Sequence, residues 1–210
     1  MSLIQLTDQK SGFRNERLSI VLDAALRENM SIERYRHSMR VADTAVLYAC
    51  RLGISPHDAW LAGIAHDFAR EWTGQQLVRF VTAHDGAIRP EEKDKPVLLH
   101  GRVAAIILER TYGVTKPDVL EAVEHHTLGR VGMSPLAKLL FVADYLEPGR
   151  KFTDLSYRRS VRNLCLDCMV CSVIQHCANR HKDIHPLTIA LLSESRELCD
   201  RGPGEGKKHE

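Results

Sequence analysis

Helix-opening signals punctuate this chain from end to end, and they restrict its fold more than any other feature. Ser31, Ser55-Pro56, Thr73-Gly74-Gln75-Gln76, Ser134-Pro135 and His185-Pro186 each stand ahead of a stretch with helical spacing of apolar residues. A Ser or Thr side-chain oxygen accepts an N–H that the first helical turn leaves unpaired. Proline suits the first helical position, where it has no N–H to lose. Strand signals are scarce: no stretch alternates apolar and polar residues, and aromatics make up 6% of the chain. The class read from these signals is all-α, a helical bundle.

The expected elements follow in order. Residues 16–29 place Leu18, Val21, Leu22 and Ala25 on one helical face. Ser31 caps a helix to about Leu52, with Gly53 as terminator. A helix opening at Pro56 carries His66 and Asp67 in the middle of an apolar run, Leu61 to Arg70. Thr73 opens a helix to about Ala83, and 84–95 is a polar loop. Val97 to Tyr112, Thr115 to about His126, and Ser134 to Glu147 are helical, then one or two helices over 154–182, then a last one to about Cys199. One domain, 16–200, is expected between a flexible segment 1–15 and a disordered, glycine-rich tail 201–210.

Composition narrows the function classes. The chain has 210 residues, 44% hydrophobic and 27% charged, which is globular. A net charge of +2 without a basic block argues against nucleic-acid binding. No apolar run approaches ~18 residues, so no membrane span is expected. Asp8, Lys10, Arg14 and Glu16 leave no apolar signal core, and a cytoplasmic location follows. In that compartment the six cysteines are expected as reduced thiols. Cys165, Cys168 and Cys171 recur every three residues, which invites a metal reading. Because the segment to Cys177 looks helical, they are read instead as small apolar packing residues, as is Cys199.

Six residues do not suit their apolar surroundings: His37, His66, Asp67, His100, His126 and Asp144. A buried carboxylate beside an imidazole is costly unless something compensates both. A divalent metal does so, because both groups ligate iron, manganese and zinc. An HD dipeptide alone is a weak signal, but here the order H, HD, H, H, D runs over five predicted helices. Gly101, next to His100, removes a side chain and is expected to let a ligand approach the backbone. His57, His84, His176, His181 and His209 read as surface residues.

The local strings sharpen this pattern: ERYRHSMRVA, GIAHDFAR, LLHGRVAA, EHHTLGR and LLFVADYLEPGR. Together they resemble the HD-domain superfamily of metal-dependent phosphohydrolases, in its YqeK-like branch of symmetrical dinucleoside-tetraphosphate hydrolases. The resemblance runs from about Glu16 to Leu192 and implies an HD-type helical bundle. It implies one metal held by His37, His66, Asp67 and Asp144, and a second held by bridging Asp67 with His100 and His126. The usual metal would be iron, with manganese or cobalt suited to the same ligands. His125 falls outside the ligand set.

The resemblance also implies substrate contacts from Thr127, Gly129, Arg130 and Arg150, with Tyr145 and Glu147 as lining. Arg70 replaces a lysine common three residues after the HD aspartate; it keeps the charge but does not readily give up a proton. His185-Pro186 matches a late IHPLT string expected to open a helix near the site. The implied reaction is symmetrical hydrolysis of diadenosine tetraphosphate to two ADP by a hydroxide activated at the di-metal site, with Asp67 and Arg70 as catalytic groups. Alternatives stay open: another nucleotide substrate (a nucleoside mono- or triphosphate, or a cyclic dinucleotide), a non-catalytic nucleotide-binding module, or oxygen chemistry at a di-iron site. A homodimer through the C-terminal helices also stays open.

Overall fold

The computed structural model describes residues 17–181 and 183–201, and every regular element among them is a helix. The flexible segment expected over 1–15 and the tail from Gly202 lie outside the described residues. The elements are α1 (17–29), α2 (Ile32–Leu52), α3 (Pro56–Ala65), α4 (Gly74–His84), α5 (Pro90–Asp94), a 3-10 turn (Pro96–Leu99), α6 (His100–Arg110), α7 (Pro117–His125), α8 (Pro135–Leu146), α9 (Leu155–Arg162), α10 (Leu166–Ala178) and α11 (Pro186–Arg201). None is long and apolar enough to cross a membrane.

The expected caps close as read. Ser31 accepts the Arg34 N–H at 3.2 Å, and Ser55 and Ser134 do the same for Asp58 and Ala137. Thr73 and Gln76 form a reciprocal capping box. Gly53, at φ 68°, ends α2 in the left-handed conformation.

Four boundaries differ from expectation. α3 stops at Ala65, and residues 66–71 continue as tight turns, with Phe68 N–H bonded to Ala65 O and Arg70 N–H to Asp67 O. The His-Asp pair therefore stands at a helix end and not inside a helix. The 84–95 loop contains α5, opened by Pro90 and tied by the Arg89 N–H to Glu92. The Val97 helix starts with a 3-10 turn, so His100 begins α6 proper. Finally, α7 starts at Pro117 without a side-chain cap from Thr115.

α2 runs through the middle of the bundle and packs on α3 and α8. Its crossing with α3 is close: a Cβ on Gly63 would meet Ala42 Cα at 2.6 Å. That closeness sets the α2 and α3 backbones, and so His37 and His66, at their observed separation. α8 is buried almost all round, with Leu139, Leu140, Val142 and Ala143 inaccessible. Each leucine so buried contributes about 1.5–3 kcal/mol, which is what holds Asp144 in an apolar helix.

α10 and α11 form a hairpin whose open end brings Cys199 onto the start of α10. The reading of the cysteines as reduced thiols and packing residues is corrected here. Cys168 and Cys199 are joined as a disulfide, and the exposed Cys165 Sγ lies 3.9 Å from Cys199 Sγ. Of this set only Cys171 is buried in the core-facing position expected.

Candidate metal centre

Asp67 is the hinge of the site. It is 4% exposed, and its two carboxylate oxygens face different imidazoles. Oδ2 lies 3.7 Å from His37 Nε2 and 3.5 Å from His66 Nε2. Oδ1 lies 3.2 Å from His100 Nε2 and 3.7 Å from His126 Nε2. Asp144 Oδ1 joins the first group, 3.1 Å from His37 Nε2 and 3.9 Å from His66 Nε2. All six ligand candidates converge, supplied by α2, the turn after α3, α6, the end of α7, and α8.

The ring tautomers follow from local backbone. The Nδ1 of His66, His100 and His126 lies 2.7, 2.5 and 2.8 Å from the carbonyl oxygens of Gly63, Val97 and Val123, each three residues back. A carbonyl only accepts, so Nδ1 carries a proton and, in the neutral ring, Nε2 is left as a bare lone pair. His100 Nε2 and His126 Nε2 then face each other at 3.0 Å without a proton to share. His37 Nε2 and His66 Nε2 are buried with no hydrogen-bond partner. An unsatisfied buried polar atom costs about 1–3 kcal/mol, and here several converge beside a carboxylate. A divalent cation on each side of Asp67 would satisfy them all; the donor set of imidazoles and carboxylates fits that group.

Glu147 supports the first group from behind. Its Oε1 lies 3.1 Å from His37 Nδ1, and Arg40 Nε and the Gly149 N–H donate to Oε2 at 2.6 and 2.5 Å. Burial works against this carboxylate, yet His37, Arg40 and Gly149 together bring it down to about 2. Burial would likewise raise Asp67 and Asp144. With a proton on the facing rings in place of a metal ion, the imidazoles, together with Arg150 beside Asp144, hold both well below the usual carboxylate range. Both remain anionic ligands at any ordinary pH.

The two sides of Asp67 open onto different surroundings. A cavity of roughly 220 Å³ beside His37 is walled by Arg34, Arg40, Glu71, Glu147 and Arg150. Arg34 Nη1 donates to Asp67 Oδ2 at 2.7 Å, and Arg150 pairs with Asp144. A larger cavity of roughly 520 Å³ starts at His126, Thr127 and Asp144 and continues between Phe141, Val173 and Ile184. Thr127 Oγ1 stands at its base, 3.1 Å from His126 Nε2 and 3.4 Å from His100 Nε2.

The expected substrate contacts are placed unevenly. Arg150, Thr127 and Tyr145 border these cavities. Arg130 is exposed and engaged by Glu121 at 2.5 Å. Gly129, at φ 67°, makes the turn after α7, where a Cβ would meet Leu191 Cδ2 at 2.5 Å. Arg70 is half-buried in the turn that carries Asp67.

Gly101 is corrected: the space expected for a ligand is filled by α7, whose Val123 and Glu124 carbonyl oxygens lie 2.7 and 2.8 Å from where a Cβ would stand. Its bareness lets α6 and α7 approach and brings His100 to His126. His176 is not a surface residue; its Nδ1 lies 2.9 Å from Tyr145 Oη and its ring stacks on Tyr157 at 4.2 Å. Arg34 and Arg40 were absent from the expected site, although they lie three residues either side of His37, on its helical face.

Comparison with known proteins agrees with this geometry. The HD domain family matches residues 34–149, more than half of the chain. A Bacillus subtilis protein, "Bis(5'-nucleosyl)-tetraphosphatase, symmetrical", is 34% identical over 61% of this chain and 69% of its own length. The Staphylococcus aureus protein of the same name is 38% identical over 59% of this chain and 63% of its own, and that of Halalkalibacterium halodurans 28% over 80% and 92%. A crystal structure from Clostridium acetobutylicum, described as a predicted HD superfamily hydrolase involved in NAD metabolism, superimposes with a TM-score of 0.77 at 29% identity. It covers 86% of this chain and 97% of that one. The chain thus belongs to the HD-domain family of metal-dependent phosphohydrolases, beside the symmetrical bis(5'-nucleosyl)-tetraphosphatases.

Proposed function

We propose that this enzyme hydrolyses dinucleoside tetraphosphates symmetrically, diadenosine tetraphosphate giving two ADP. One observation carries the proposal: a single buried carboxylate, Asp67, separates two sets of imidazole lone pairs, with arginines beyond one set and an apolar cavity beyond the other. His37, His66, Asp67 and Asp144 would hold one divalent ion and Asp67, His100 and His126 a second, and these would supply Lewis acidity for water activation and phosphoryl oxygens. Iron is the inferred metal, and manganese and cobalt suit the same donors.

The chain's own residues then do the following. Arg34 and Arg150 turn from Asp67 and Asp144 to phosphate oxygens, which a guanidinium meets in a fork. Arg40 stays on Glu147 and keeps His37 aimed. Thr127 donates its hydroxyl to a phosphate oxygen at the base of the apolar cavity, and Phe141, Tyr145 and Val173 exclude water around one nucleoside. Arg70 adds positive charge near the turn without transferring a proton. Water attacks an inner phosphorus, the bond from that phosphorus to the central bridging oxygen breaks, and ADP leaves.

The test is an anion-exchange product profile from iron-loaded, reduced protein and diadenosine tetraphosphate. ADP as sole product is expected. AMP plus ATP would place the cut off centre and overturn the symmetrical reading.

A further inference from the structure

The metal centre leaves unexplained a cluster some distance along the α10–α11 hairpin. We propose that Cys165, Cys168 and Cys199 form a thiol–disulfide exchange site, in which Cys165 attacks Cys199 and displaces Cys168 from the existing disulfide. The three sulfurs lie within 4.8 Å of one another. Cys168 and Cys199 are joined, with Cα atoms 5.8 Å apart, a span that a disulfide bridges readily. Cys165 Sγ, the third sulfur, stands 3.9 Å from Cys199 Sγ.

The three sulfurs are close but not in line, so rotation of the exposed Cys165 side chain must carry its sulfur opposite Cys168 before attack. Cys165 is the N-cap of α10, and its sulfur accepts the Cys168 N–H at 3.4 Å. Cys168 lies in the first turn of the same helix. Attacking and departing sulfurs therefore both sit at the N-terminal end of α10. Cys165 is exposed, open to small thiols. The remaining thiols on α10 are poor competitors, since burial pushes both Cys171 and Cys177 up.

The exchange itself moves no net electrons. The Cys165 thiolate forms a bond to Cys199 Sγ, the Cys168–Cys199 bond breaks, and Cys168 leaves as thiolate. Two electrons and two protons enter only when an external dithiol completes reduction and becomes a disulfide. They leave again when a low-molecular-weight disulfide, such as oxidised glutathione, accepts them. The bond closes a loop whose opposite end carries Ile184, His185 and Pro186 along the apolar cavity. Thr188 also donates to Leu128 O at 2.6 Å, in the turn after His126. Oxidation thus ties the two helices that wall the nucleoside side of the enzyme.

The metal-loaded full chain is oxidised with glutathione disulfide, alkylated and peptide-mapped, as wild type, Cys168→Ser and Cys165→Ser. Wild type is expected to protect Cys168 and Cys199 while Cys50 and Cys165 alkylate. Cys168→Ser is expected to trap a Cys165–Cys199 disulfide. Cys165→Ser should keep the native pair but slow its reduction by dithiothreitol roughly tenfold, with the circular dichroism of the bundle unchanged. Equal alkylation of all three cysteines in wild type would overturn the proposal. So would one equivalent of zinc, additional to the His/Asp metals, that Cys165→Ser removes, since that marks a thiolate metal site.

Discussion

The two sides of Asp67 are built from the same ligand types but serve different ends. On the Oδ2 side, His37 is backed by Glu147 and faces Arg34, Arg40 and Arg150, while His66 is held by the Gly63 carbonyl. On the Oδ1 side, His100 and His126 are fixed only by backbone carbonyls and open onto Thr127 and an apolar cavity. One side has the chemistry to hold polyanion, the other to hold a nucleoside. A substrate with a long phosphate chain between two nucleosides needs both. The contrast shows how a near-symmetric pair of ligand sets acquires direction from what lies behind them.

The largest effect expected is from Asp67→Ala, which removes the group both sides share. kcat/KM should fall by about 10³-fold or more, with loss of bound metal by elemental analysis; a variant with full metal and turnover would break the comparison. Next come substitutions that act on one side alone. Arg34→Ala removes a charge-assisted contact of about 1.5–3 kcal/mol, so kcat/KM should drop roughly 10- to 150-fold and inhibition by inorganic polyphosphate should weaken in parallel. Ile184→Ala, on the cavity side, should raise KM for the dinucleotide and leave polyphosphate inhibition unchanged. If both variants lost polyphosphate inhibition equally, the two sides would not be distinct.

Gly63→Ala tests the frame that sets the sides in register. Backbone meets the new methyl at 2.6 Å, so α2 and α3 must part, at about 1–3 kcal/mol. Thermal unfolding should shift down, with metal affinity weakened on the His37–His66 side. The smallest effect belongs to Arg130→Ala. Its exposed pair with Glu121 is worth about 0.2–1 kcal/mol of stability, and it lines neither cavity, so unfolding should shift only slightly and KM should barely change. A tenfold rise would return Arg130 to the phosphate clamp.

Much of this is legible in the sequence. Side-chain caps are local, so Ser31, Ser55, Thr73 and Ser134 gave the helix starts correctly. The six ligand candidates could be picked out because each is a polar intruder in an apolar stretch. Other features depend on contacts remote in sequence. Apolar periodicity continues through Phe68 and Ala69, which are buried, so the change from helix to tight turns at His66 left no mark on the pattern. A bare Gly101 suits a ligand or a second helix equally, and only the α6–α7 crossing separates the two. The cysteine site needs α11 folded back on α10. Arg34 and Arg40 were readable in principle, being one turn from His37 on its own face.

We propose that Asp67 divides one site into two separate metal-holding halves. Metal content per chain, measured by plasma mass spectrometry after anaerobic iron loading and desalting, tests it most directly in wild type, His37→Ala and His100→Ala. The account predicts about two ions in wild type and about one in each variant, with the double variant nearly empty. About one ion in wild type, or loss of the same single ion in both variants, would contradict it.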